Sequence, residues 1–269
     1  MTESIKDFIF NTYLQARNFA IQTLRLKIND FSKVVNSEKY TPRITDFFSN
    51  LKHWRKGLWW GNYRDTEDMA YTADSQVLIS HKRLMLLSEK ISKLNNKNGK
   101  KMPFATGTIQ KNRAIRGYGA FEVVARIHEA RGIWHAPLWF VAAGRGSEII
   151  VLPEIDVVEV YTSKNKNKAK AQTNIHYGED YAENKRSMGA RTHTISNFFD
   201  RWISFALIWR KDRLDFYYDG ILVRRITNKS ILKRIEKGII PIIGAGVTNT
   251  PPQDENHMEI KSFRYWAEN

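Results

Sequence analysis

Three carboxylates stand close together in Leu152–Tyr161, LPEIDVVEVY: Glu154, Asp156 and Glu159, inside an otherwise apolar run. Side chains of a regular strand alternate between faces, so Glu154 and Asp156 share one face and Glu159 points to the other. One β-bulge between Asp156 and Glu159 returns Glu159 to the shared face. Three carboxyl groups then line one surface. Over four effective strand steps the glutamate Cα atoms are roughly 13 Å apart. Side chains leaning together approach the roughly 5–5.5 Å spacing of a retaining glycosidase pair. Like charges at that range raise at least one pKa, leaving one group protonated and one ionised near neutrality. That is the division of labour glycoside hydrolysis needs. A half-exposed acidic strand accounts for Glu154 and Asp156, but not for Glu159 between Val158 and Val160.

A strand framework must hold these groups. Beyond Gly57 the chain reads as short segments rich in β-branched and aromatic residues: 76–79, 83–87, 120–127, 138–142, 155–160, 203–209, 213–218 and 221–226. Asp219-Gly220 between two such segments is a strong hairpin signal. Helical periodicity after residue 60 is confined to 230–237. Many strands, tight turns and few helices indicate a β-sandwich or jelly roll. The lysine-rich stretches 90–101 and 164–170 read as loops that are either solvated or turned toward an anionic ligand.

The first 35 residues differ. Ile5, Phe8, Ile9, Ala16, Phe19, Ala20, Leu24 and Ile28 recur at three- and four-residue spacing, which predicts an amphipathic helix. Thr2 or Ser4 caps its start, the latter with Asp7 three residues on. A shorter helix is expected over 44–54. The division expected is a helical extension over 1–56 and a β domain over 57–269. The apolar stripe of the long helix needs cover: its own sandwich by default, otherwise self-association or a protein partner.

Composition removes several classes. The 269 residues include 42% apolar and 12% aromatic side chains, which excludes a disordered chain. No apolar run is long enough to span a membrane as a helix. The absence of cysteine removes disulfides, thiolate catalysis and cysteine-ligated metals. The first residues do not read as a secretion signal, since Glu3 and Asp7 stand where a basic region belongs. With 43 Lys and Arg against 28 Asp and Glu, the net charge is +15. A polyanion is the partner such charge suits: a nucleic acid, an acidic glycan or an anionic cell surface. No nucleic-acid motif accompanies it.

The order of segments resembles glycoside hydrolase family 16, the concanavalin A-like jelly-roll β-glycanases. The resemblance runs collinearly over about residues 59–267. It is carried by ATGTIQKNRAIRGYGAFEVVARI (105–127), GIWHAPLWF (132–140), PEIDVVEVY with the family's bulged ExDxxE pattern, QTNIHYG (172–178), residues 193–226 and HMEIKSFRYW (257–266). It implies a mostly β fold: two antiparallel sheets forming a jelly roll, with an N-terminal helical extension outside it. Glu154 falls on the nucleophile position, Glu159 on the general acid/base, and Asp156 on the carboxylate that tunes the nucleophile. The implied activity is endo-hydrolysis of a β-linked polysaccharide with retention, needing no cofactor and no catalytic metal. Trp134 is expected in the cleft, Trp139 in the cleft or the core, and His176 as a cleft residue or a structural histidine, with Arg116 and Asn112 reaching a substrate hydroxyl or anionic substituent. Trp59 and Trp60 are expected mainly as packing residues, and Trp202 and Trp209 as core. His135 and Glu259-Ile260-Lys261 depart from the family pattern, which leaves the substrate open. Polysaccharide becomes the expected partner and nucleic acid an unlikely one. A hydrolase of extracellular glycan without a leader would suit a virion- or surface-attached depolymerase, and a non-catalytic carbohydrate-binding module is the alternative.

Overall fold

A computed structural model describes residues 4–23, 28–37, 39–59, 70–95, 102–129, 132–144, 149–162, 168–178, 185–247 and 256–269. In chain order the elements begin with α1 (Ile5–Thr23), α2 (Asp30–Val35), β1 (Tyr40–Asp46), β2 (Trp54–Lys56), β3 (Ala70–Thr72), β4 (Val77–Ser80), β5 (Arg83–Asn95) and β6 (Met102–Thr106). Next come β7 (Thr108–Lys111), β8 (Gly119–Ile127), β9 (Ile133–Ala143), β10 (Ile149–Thr162), β11 (Lys168–Tyr177), β12 (Arg186–Ser187) and β13 (Arg191–Ser196). The chain closes with β14 (Trp202–Trp209), β15 (Leu214–Tyr218), β16 (Ile221–Ile226), α3 (Lys229–Ile235), β17 (Ile239–Val247) and β18 (Asn256–Glu268).

Two sheets result. The first runs β16-β15-β14-β8-β18-β5-β6-β3, with β1 also on β18 and β4 on β5. The second runs β12-β11-β10-β9-β17-β7-β2, with β13 also on β11. Their facing sides supply the core. Phe121, Val123, Ala125 and Ile127 of β8 alternate inward and share one apolar cluster with Leu138 and Phe140 of β9 and Ile155 of β10. The strands expected from the sequence are present. The hairpin at Asp219-Gly220 has φ angles of 48° and 76°, the paired left-handed conformation a two-residue turn demands.

Near the N-terminus two expectations change. Residues 44–54 are not helical: β1 pairs with β18 from Tyr40↔Glu268 to Asp46↔Phe263, and β2 pairs with β7. The register shifts between Pro42 and Ile44, where proline's missing N–H fits an irregular step of the ladder. The open flank of β18 explains the preference, because edge pairing supplies hydrogen bonds that a short helix would have to make alone. Residues 90–95 and 168–170 extend β5 and β11 rather than forming loops; 96–101 and 164–167 lie outside the described residues.

The second change concerns α1. Ser4 Oγ accepts from the Asp7 N–H at 3.1 Å, the expected start. Its buried residues, however, are Asp7, Asn11, Leu14, Asn18 and Ile21, while Ile5, Phe8, Ile9, Tyr13 and Phe19 are exposed. The reason lies in β16, the edge of the first sheet. Asn11 Nδ2 donates to the Arg225 carbonyl (2.9 Å) and its Oδ1 accepts from the Arg225 N–H (2.7 Å), as a neighbouring strand would. Asp7 accepts from the Thr227 N–H (2.9 Å) and hydroxyl (2.8 Å), and Asn18 donates to the Leu222 carbonyl (2.9 Å). The polar face of α1 closes a sheet edge that would otherwise recruit another strand.

Candidate active site

The carboxylate strand carries the expected irregularity. β10 pairs with β11 as Glu154↔His176 and Asp156↔Asn174, then resumes at Glu159↔Gln172 after a shift. Val157 and Val158 are both fully buried in the inter-sheet core. Two successive residues therefore turn inward, and Glu159 comes out on the face that holds Glu154 and Asp156. The Val-Val pair fits this step because both side chains gain apolar burial there.

Neighbouring strands bring the rest. On the β9 side, Glu154 faces Val141, Asp156 faces Trp139 and Tyr161 faces Trp134. Trp139 is buried and Trp134 half-buried, both against a cluster that includes Leu58, Ala136, Val141 and Ile242. His176 Nε2 lies 3.4 Å from Asp156 Oδ2 and 3.9 Å from Glu154 Oε1. Thus Trp134, Trp139 and His176 join the three carboxylates. Asn112 and Arg116 bond elsewhere: Asn112 donates to the Lys52 carbonyl (3.1 Å), and Arg116 to the carbonyls of Gly144 (3.2 Å) and Lys237.

The local charges are arranged against one another. Asp156 is only 3% exposed, and burial first, then the charges of Glu154 and Glu159, push its pKa well above the ordinary aspartate value. Lys185 Nζ, 3.8 Å from Glu154 Oε1, works the other way. Burial and then Lys185 push His176 down to about 4, so the ring is neutral at pH 7. Asn174 fixes its tautomer. Asn174 Oδ1 accepts from Ser187 Oγ (2.7 Å) and the Ile175 N–H (2.9 Å), which turns Nδ2 toward His176 Nε2 at 3.1 Å. Nε2 accepts that hydrogen bond, and the ring proton resides on Nδ1. The Tyr161 hydroxyl donates to Glu159 Oε1 at 3.1 Å.

Asn174, Tyr161, Lys185 and Ser187 are absent from the sequence-based set. Alternation offered a signal for two of them: Asn174 is two residues from His176 and Tyr161 two from Glu159, so each pair shares a face. Lys185 and Ser187 arrive from a different strand neighbourhood and carry no motif.

The sequence profile of glycosyl hydrolases family 16 matches residues 63–249. The chain belongs to that family. It is a β-glycan hydrolase on a jelly-roll fold. No curated protein matches the sequence. Among solved structures, a non-specific endo-β-1,3(4)-glucanase of family 16 superposes with a TM-score of 0.70 at 18% identity, covering 87% of this chain and 93% of the other. The catalytic domain of an endo-1,3-β-glucanase (laminarinase) from Thermotoga petrophila gives 0.67 at 16%, covering 87% and 100%. An endo-β-1,3-glucanase from Pyrococcus furiosus gives 0.67 at 15%, covering 86% and 95%.

Among the described residues of this family 16 hydrolase, two groups gather metal-ligating atoms within 4.8 Å of one another: Glu154, Asp156 and His176, and separately His128, His257 and Glu259. In the first, Lys185 already supplies positive charge beside Glu154. In the second, Arg126 and Arg83 bond both oxygens of Glu259. Other tryptophans are placed as follows. Trp209 is core, as expected, and Trp59 is 38% exposed. Trp202 is not core: it is half-buried, with the guanidinium groups of Arg83 and Arg126 at 5.3 and 5.0 Å from its ring centre. Trp60 lies outside the described residues.

Proposed function

We propose that the chain is a retaining endo-β-glycanase in which Glu154 is the nucleophile, Glu159 the general acid/base and Asp156 the group that tunes Glu154. The observation that carries this reading is the bulge at Val157-Val158, which puts all three carboxylates on one sheet face beside Trp134 and Trp139. In the first step the Glu154 carboxylate attacks the anomeric carbon as Glu159 gives its proton to the departing glycosidic oxygen. In the second, Glu159 takes a proton from water, whose oxygen displaces Glu154 and restores the free enzyme. Asp156 lies between the two glutamates on the strand, and burial and their charges raise its pKa, so it is the group placed to tune Glu154. The neutral His176, oriented by Asn174, and the two tryptophans form the sugar-binding surface, because a pyranose face stacks on an aromatic ring.

An acidic or sulfated glycan fits this site better than a neutral one. Lys185 stands beside Glu154, Lys170 lies opposite Tyr161 on β11, and the whole chain carries +15. The solved relatives are named for β-1,3- and β-1,3(4)-glucans, so those polymers belong in the test beside sulfated and uronic glycans. The outward apolar stripe of α1 supports attachment of the sandwich to a larger body, as a surface- or virion-attached depolymerase requires. New reducing ends are measured on this panel for the wild type and Glu154→Gln, with proton NMR of the first product. Oligosaccharide release by the wild type alone, with the anomeric configuration kept, is the expected result. Binding without cleavage by both proteins would make the sandwich a carbohydrate-binding module, and inversion would reassign Glu154.

A further inference from the structure

Helix α1 is mounted with its hydrophobic side outward. At 100° per residue, Ile5, Phe8, Ile9, Tyr13, Ala16, Phe19 and Ala20 fall in one sector of about 140°. The five large members are 58–79% exposed. Thr12, inside that sector, returns its hydroxyl to the Phe8 carbonyl at 2.8 Å and offers little polarity. The buried residues Asp7, Asn11, Leu14, Asn18 and Ile21 centre on the opposite side, where Asp7, Asn11 and Asn18 are hydrogen-bonded to β16 and Thr227. The helix cannot turn its apolar side inward without breaking every one of those bonds. A cleft of about 410 Å³ runs along one flank of the helix, between Gln15, Asn18, Phe19, His193 and the β15–β16 hairpin.

We propose that this stripe is a membrane-surface anchor for an anionic lipid bilayer. The charges around it select that occupant. The one acidic residue of α1, Asp7, is turned away and bonded to Thr227. The outward sector is free of acid, with Lys6 exposed along one border. On another side the Arg191 guanidinium sits 5.6 Å over the Phe8 ring. A second copy of the chain would bring +15 toward +15, whereas an anionic surface attracts the same charge. The helix, 19 residues long, spans about 28 Å. No described helix is long and apolar enough to cross a membrane, so α1 lies in the interface plane with its aromatic and branched side chains at the acyl boundary. The anchor does not depend on the proposed chemistry, and it would hold the carboxylate face of the second sheet at a surface.

The test is co-sedimentation of the full chain with vesicles, once of phosphatidylcholine alone and once of phosphatidylcholine and phosphatidylglycerol in equal parts. The wild type should partition to the anionic vesicles at least about tenfold better than to the neutral ones. Ile9→Asp and Phe19→Asp should each lower that partition about tenfold or more, with unchanged circular dichroism, because both side chains are already in water. Leu78→Asp, an exposed apolar residue on β4, should leave it unchanged. Absence of binding to anionic vesicles overturns the proposal, as does binding that the α1 variants leave intact. A dimer in light scattering that Ile9→Asp dissociates, without vesicle binding, would assign the stripe to a second copy instead.

Discussion

Asp156 on β10 and Glu259 on β18 are carboxylates of similar burial, 3% and 6% exposed, set in opposite company. Asp156 has Glu154 and Glu159 as strand neighbours, and burial followed by those two charges raises its pKa. Burial alone would also raise Glu259. Hydrogen bonds and charge from Arg126, with Arg83 and His128 adding further hydrogen bonds, outweigh that and hold it below the ordinary glutamate value. Around Glu259 every contact favours the charged form, which is how a fold stabilises a buried acid. Around Asp156 the neighbours oppose one another. Such opposition costs stability, and groups whose surroundings conflict in this way are concentrated at functional sites.

The sharpest break of this comparison is in activity. Glu154→Gln and Glu159→Gln should each lower kcat/KM by about 10⁴-fold, and the double variant by little more, because the two act as one unit. Glu154→Gln should not lower the Tm, since it removes a like charge beside Asp156. Asp156→Asn should cost about 10–100-fold in kcat. It carries a pH signature as well. A carboxyl whose folded pKa is raised favours the fold while protonated, and that contribution is lost as pH rises from the unfolded value toward the folded one. The Tm of Asp156→Asn relative to the wild type should therefore rise as pH climbs above about 4. Melting curves of the two proteins over a pH series check it; curves that stay parallel would detach the effect from Asp156.

Much of this site was legible because the local pattern is strict. Val157-Val158 has a single reading once Glu154 and Glu159 must share a face, and Asp219-Gly220 admits few turns. The orientation of α1 was not legible. Spacing shows that Phe8, Ile9 and Phe19 share a side, and burial is the ordinary fate of such a side. Only the position of β16 at a sheet edge explains why Asn11 and Asn18 face the domain instead. Lys185 escaped for a related reason: nothing local distinguishes it from other lysines of a basic chain, and its significance comes from standing 3.8 Å from Glu154.

The complementary break is at Glu259. Glu259→Gln should leave kcat/KM within about twofold, yet cost roughly 1–3 kcal/mol of stability by removing charge-assisted bonds to Arg126 and Arg83. Its linkage has the opposite sign to that of Asp156. A lowered folded pKa gives stability that is present above the unfolded value near 4.5 and lost as pH falls through the folded one. Denaturant titrations at pH 7 and pH 3 should show a large difference between wild type and variant at the first and a small one at the second. Equal differences at both would mean that packing, not charge, is what Glu259 contributes.

Lys185 is the residue through which the first region borrows a little of the second region's character. It lowers the Asp156 pKa against the pull of burial and the glutamates, and it depresses His176. Lys185→Met should therefore raise Asp156 further and release His176 upward. On a neutral β-glucan the loss of kcat/KM should be a few-fold, as expected for a charge acting through partly solvated neighbours. On a sulfated or uronic glycan the loss should be larger and should shrink as salt is added, because screening removes what the lysine supplied. Lys185→Arg keeps the charge and should retain the preference for the acidic polymer. Equal losses on neutral and acidic substrates would confine Lys185 to tuning the carboxylates and remove it from substrate selection.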